Sequence, residues 1–126
     1  DPQVIVVMIG TNDVGVGLEP ATVTANIQAI ADRLSAALPG ARLVLHTLFP
    51  RSGQYAERID EINTAIREIA RAGGHDLLDL HDRFADDQGA MRPEYSNDDL
   101  HLLGTGYALW RDALLPCLTT ACPAVE

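Results

Sequence analysis

The stretch Val4-Ile5-Val6-Val7-Met8-Ile9-Gly10-Thr11-Asn12-Asp13 decides the fold class. It opens with an unbroken apolar run from Val4 to Ile9, rich in β-branched residues, that offers no polar face to water. A strand with one wet face alternates apolar and polar positions, so this run predicts a parallel strand covered on both sides. Gly10 ends the run, and a loop through Gly15 and Gly17 is expected to follow. Open parallel sheets bind their ligands at the carboxyl ends of the strands, so the residues after Ile9 are the first place to look for chemistry.

The pattern continues outward from that strand. Pro20 suits the first turn of a helix, and Val23, Ile27, Ile30, Leu34 and Leu38 follow as one apolar stripe until Pro39-Gly40 stops it. Arg42 to Phe49 reads as a second buried strand, ended by Pro50. Ile59, Ile62, Ile66 and Ile69 mark a second amphipathic helix, closed by Gly73-Gly74. Asp76 to Leu80 is a short third strand, Asp86 to Asp99 a loop, and Thr105 to Leu115 a last helix. Strands alternating with helices imply an α/β fold with a parallel sheet and right-handed crossovers. Three strands leave room for at most one interior position, yet all three are apolar. Further strands are therefore expected beside Val4 to Ile9, with residues 1–126 forming the C-terminal portion of one domain and the rest supplied by an upstream segment.

Composition excludes several function classes. The 126 residues are 47% hydrophobic and 21% charged, enough for one domain with a core. Nine basic residues against 18 acidic give a net charge of −9, which disfavours nucleic acid and anionic membranes and fits a neutral substrate. No apolar run approaches the ~20 residues of a membrane helix. Cys117 and Cys122 are close in sequence, in an expected non-helical loop framed by Pro116 and Pro123. A disulfide between them is expected, and with it an oxidising compartment.

Two short constellations can carry chemistry. In Gly10-Thr11-Asn12-Asp13 a glycine allows a tight turn, and the amide N–H of Asn12 can be aimed at a ligand oxygen on which charge develops. In Asp98-Asp99-Leu100-His101 a carboxylate three residues before an imidazole can fold back onto it and fix its tautomer. Each alone also reads as an ordinary turn or a solvated loop. Together, in this order and context, they resemble the SGNH hydrolase superfamily, the GDSL-type esterases, over Asp1 to Leu115.

That resemblance implies a three-layer α/β/α fold with a flavodoxin-like parallel sheet. It implies that Asn12 is an oxyanion-hole donor within the same block as Gly10, that His101 is the general base, and that Asp98 orients it. It implies no metal and no organic cofactor. Two features depart from the family. Leu102 stands where a proline usually follows the histidine. The Gly-Asp-Ser block with the nucleophile, and the next block with an oxyanion glycine, are absent. The implied function is a serine ester hydrolase whose serine comes from the upstream segment, acting on an acetylated sugar or short-chain acyl ester. A secreted carbohydrate acetylesterase fits the acidic composition, with a cytoplasmic enzyme as the alternative. The alternative function is a non-catalytic descendant that binds glycans or a protein partner. A nucleotide-binding module is disfavoured because no Gly-rich phosphate loop follows a strand.

Other residues carry weaker signals. Ser35, Ser52 and Ser96 are the candidates for a substitute nucleophile, and none is followed by an activating turn; Ser52 is expected to border the substrate mouth. His75, Asp79 and His81 would share one face of an extended third strand and could be read as metal ligands. His46 interrupts the second strand and is expected to be a hydrogen-bonded core histidine. Tyr95, Tyr107 and Trp110 could line a sugar platform, although Trp110 has the spacing of a core residue.

Overall fold

The computed structural model describes residues 1–123. Its elements are β1 (Val4–Val7), α1 (Thr11–Gly15), α2 (Pro20–Ala37), β2 (Arg42–His46), a 3₁₀ turn (Gly53–Tyr55), α3 (Ala56–Gly73), β3 (Asp76–Leu78), α4 (His81–Phe84) and α5 (Gly104–Thr119). Among the described residues the strands form one parallel sheet in the order β1-β2-β3. Val6 lies opposite Val44, and Val44 opposite Asp76.

Strand alternation sorts the core into two halves. Ile5, Val7, Leu43, Leu45 and Leu77 face one way, against Val23 and Ile27 of α2 and Ile59, Ile62 and Ile66 of α3. Val4, Val6, Val44 and Leu78 face the other way, against Phe84 of α4 and Ala113 and Cys117 of α5. The result is the expected three-layer α/β/α arrangement. β2 is flanked on both sides and is the most buried strand, whereas Val4–Val7 on the edge are half-buried.

The strands end earlier than their apolar runs suggest, because side chains replace the ladder. Beyond His46 the chain stays without strand pairing, but its polar groups find other partners. The Thr47 N–H donates to the Leu78 carbonyl at 3.1 Å, and the Thr47 hydroxyl accepts from the Leu80 N–H at 3.1 Å. Asn63 of α3 grips the next residue through two successive peptides: its Oδ1 accepts from the Leu48 N–H at 2.7 Å, and its Nδ2 donates to the Leu48 carbonyl at 3.1 Å. Asn63 is 1% exposed, so neither bond competes with bulk water. β3 likewise stops at Leu78, since the Leu80 N–H is committed to Thr47 and His81 opens α4.

Three further expectations are corrected. The loop after Ile9 contains a short helix, α1, reached through Gly10 at φ 116, a conformation that only glycine adopts without strain. On α2, Ala31 is buried and Ile30 is 39% exposed, so the stripe passes through Ala31 and leaves Ile30 at its rim. α5 continues through Pro116 to Thr119. Proline offers no N–H to the carbonyl four residues back, so the helix runs through Pro116 at the loss of one ladder bond. Cys117 therefore lies within the helix, fully buried, and is bonded to Cys122 beyond its end.

Two outcomes follow for stability. Asn63→Ala leaves the N–H and C=O of buried Leu48 without their Asn63 partners, each costing roughly 1–3 kcal/mol. Urea denaturation of the intact protein should show a midpoint lowered accordingly with an unchanged slope; an unchanged midpoint would show that the grip on Leu48 contributes nothing. Intact-mass analysis of alkylated protein should show Cys117 and Cys122 protected until reductant is added. Two thiols alkylated without reductant would refute the bond.

Candidate active site

The carboxyl ends of β1 and β2 and the loop before α5 meet at one place. From β1 comes the Gly10–Asp13 turn, with Asn12 exposed as the second residue of α1. From β2 comes the segment Leu48–Arg51, held by Asn63. From the third comes Leu100. Thr11 and Leu100, the neighbours of Asn12 and His101, line a common cavity of about 100 Å³ with Ile9, Leu48, Phe49 and Arg51.

The segment Ser96–His101 is built around one carboxylate. Asp98 Oδ1 accepts from the backbone N–H groups of Leu100 at 3.0 Å and His101 at 2.7 Å. Its Oδ2 lies 2.7 Å from the His101 Nδ1. Donation from the ring, then from the His101 and Leu100 N–H groups, holds the Asp98 carboxyl well below the usual carboxylate range. An ionised carboxylate can only accept, so Nδ1 carries the proton and Nε2 presents its lone pair outward. The His101 side chain is 76% exposed, free to meet a second reactant. Such an imidazole can take a proton at Nε2 and return it. Asp99 closes the turn at φ 58, a left-handed conformation that Asp tolerates.

The remaining serines have other places. The Ser96 hydroxyl is buried beneath this turn, 2.7 Å from the His101 carbonyl and 3.1 Å from Asp98 Oδ1. Ser35 lies at the opposite end of the sheet, in a cleft with Arg42, His75 and Asp76. Ser52 precedes the 3₁₀ turn and does not line the cavity beside Thr11 and Leu100; its neighbours Pro50 and Arg51 do.

The histidines near β3 do not form a cluster. The strand is too short for its alternation to reach Asp79 and His81. Arg67 donates to Asp79, and His81 pairs with Asp82. Among the described residues no group of three or more His, Cys, Asp or Glu could hold a metal ion.

His46 is a core histidine, as expected. Its Nδ1 lies 2.6 Å from the Thr47 carbonyl, and its Nε2 accepts from the Trp110 indole at 3.0 Å. Burial pushes its pKa down to about 4, so it stays neutral as the seam between β2 and α5. The aromatic residues do not share one platform. Tyr95 packs on Phe84 in the core, whereas Tyr107, 53% exposed, lies 6.2 Å from Trp110 between ring centroids and the two line one pocket on α5; Trp110 also bonds His46. Arg51 carried no signal in the sequence, because its contacts reach across the fold. It donates to the Thr11 carbonyl 40 positions away.

Similarity to known proteins agrees with this fold. The subunit alpha1 of platelet-activating factor acetylhydrolase IB from Pongo abelii is 36% identical over 112 residues, which cover 85% of this chain and 47% of the relative. This chain thus spans about half the length of the curated relatives it matches. A GDSL-like lipase from Bacteroides thetaiotaomicron superposes with a TM-score of 0.85 at 20% identity, covering 93% of this chain and 62% of the other. An acetyl xylan esterase superposes with a TM-score of 0.79 at 21% identity, covering 93% and 67%. At those identities the two structures establish the fold. The sequence pattern of one family, described as GDSL-like lipase/acylhydrolase, matches residues 1–109. With its parallel sheet, its Gly10–Asp13 turn and its Asp98–His101 pair inside that match, the chain belongs to the GDSL-like lipase/acylhydrolase family.

Proposed function

We propose that this chain supplies the acid–base and oxyanion parts of a serine ester hydrolase, and that a segment upstream of Asp1 supplies the nucleophile. The observation that carries the reading is the 2.7 Å contact between Asp98 and the ring of His101, beside a cavity shared with the Asn12 turn. In the proposed reaction the serine oxygen attacks the ester carbonyl while His101 Nε2 takes its proton. Asp98 keeps Nδ1 protonated and stabilises the imidazolium. Asn12 donates its amide N–H to the oxyanion. The imidazolium then returns the proton to the departing alkoxide, leaving an acyl-serine. A water deprotonated by His101 hydrolyses that intermediate and restores the serine.

The upstream segment is supported by the half-length match to the relatives and by the half-buried, one-sided β1. The substrate class is an ester of a short acyl group, with a carbohydrate hydroxyl as the favoured alcohol. A cavity of about 100 Å³ suits a small acyl group, and the names of two similar proteins refer to acetyl hydrolysis. The disulfide at the end of α5 supports a secreted enzyme.

Three measurements test the reading. Residues 1–126 alone should not hydrolyse p-nitrophenyl acetate, and the chain joined to its upstream segment should. Turnover by the isolated chain would place the nucleophile within it. In the joined protein, His101→Ala should lower turnover by several orders of magnitude. Asn12→Ala should lower kcat more than it changes KM, by about 2.7–4 kcal/mol of transition-state stabilisation. Wild-type rates in both variants would remove Asn12 and His101 from the reaction, and no hydrolysis by the joined protein would favour a non-catalytic binding protein instead. Finally, the Asp98 carboxyl should titrate well below the ordinary ~3.9 of aspartate in carbon NMR. The bonds it makes therefore stabilise the turn fully above that ordinary value and are lost as the pH falls through the depressed one. A midpoint at the ordinary value would contradict the bonding seen here.

A further inference from the structure

Arg51 is held in a way that its place in a surface loop does not require. Its Nη1 donates to the Thr11 carbonyl at 2.9 Å. Its guanidinium carbon lies 4.5 Å from the centroid of the Tyr55 ring. Gly15 leaves the space beside it open: a Cβ there would stand 2.7 Å from Nη1 and 3.5 Å from the guanidinium carbon. The Arg51 backbone is pinned as well, since its carbonyl accepts from the Met91 N–H at 2.9 Å. The Nε is buried with no hydrogen-bond partner among the described residues. An unpaired buried donor is unfavourable, so the side chain is kept there against that cost.

What Arg51 holds is α1, which spans only Thr11–Gly15. Helices shorter than ~12–15 residues do not persist on their own, so the orientation of Asn12 depends on tertiary anchors. Buried Val14 is one, and the guanidinium on the carbonyl of Thr11, the residue next to Asn12, is another. A hydrogen bond from a charged donor is about twice as strong as a neutral one and sets direction as well as distance.

We infer that Arg51 is the positioning residue for Asn12: it fixes the Thr11–Gly15 turn so that the Asn12 amide points at the reacting carbonyl oxygen. This rests on the ester-hydrolase reading above. Arg51 acts through Asn12, because its donor is spent on the Thr11 carbonyl, and Gly15 and Tyr55 both lie against its guanidinium. A donor displaced by about 1 Å can cost up to about a hundredfold in rate.

The test is a double-mutant cycle in the joined, full-length protein with p-nitrophenyl acetate. Arg51→Met keeps the stem and removes the donors. It should lower kcat by about ten- to a hundredfold with little change in KM. In the Asn12→Ala background the same substitution should cost less than about twofold, because the residue it positions is gone. Gly15→Ala adds a methyl that must displace the guanidinium while its charge remains, and it should reproduce the kcat loss. This second variant carries the test if Arg51→Met fails to fold. Losses that multiply in the double variant, or wild-type kcat in Gly15→Ala, would overturn the assignment. Activity unaffected by His101→Ala and Asn12→Ala would instead sink the hydrolase reading itself, which keeps the two failures apart.

Discussion

The grip of Asn63 on the Leu48 peptide is the interaction on which the cavity end of the molecule depends. β2 is the central strand, and its ladder stops at His46, where the chain must leave the sheet to form a wall. A buried peptide cannot be left without partners, and one amide side chain from α3 supplies both a donor and an acceptor. That fixes Leu48 and Phe49 as cavity lining and sets the take-off of Arg51. Arg51 in turn reaches back to Thr11. A residue in the middle of a helix thus governs the geometry of a turn that follows a different strand.

The second half of the proposed site has its own internal support. One carboxylate, Asp98, satisfies two backbone N–H groups and the imidazole, so the turn and the tautomer are fixed by the same atoms. Ser96 closes it from below through the His101 carbonyl. The neutral His46 between Thr47 and Trp110 then ties α5, which follows this turn, to the central strand. Both halves are therefore referenced to β2, which lets two segments about 90 positions apart face one small cavity.

Much of this was legible in the residues. Val4 to Ile9 forecasts a parallel strand because an unbroken apolar run has no wet face, and the apolar stripes place α2 and α3. The pairing of Asp98 with His101 was legible because it is local: three residues apart, the groups can meet across a single turn. What was illegible was non-local. Nothing near Thr47 says that its hydroxyl will cap the third strand at Leu80, so both strands read longer than they are. The metal-like set His75, Asp79 and His81 dissolved for the same reason, since its alternation needed a strand that had already ended.

The sequence by itself determined the layer architecture, the order of the three strands and three long helices, the family and the two constellations, since these rest on periodicity and short spacings that neighbouring residues share. Only the tertiary structure decided where the strands stop, that Ser96 lies beneath the turn as a buried strut, and that Arg51 braces the turn bearing Asn12. Those outcomes are set by which buried donor meets which buried acceptor once the layers have packed. Partners 15, 33 and 40 positions apart leave no trace in local pattern.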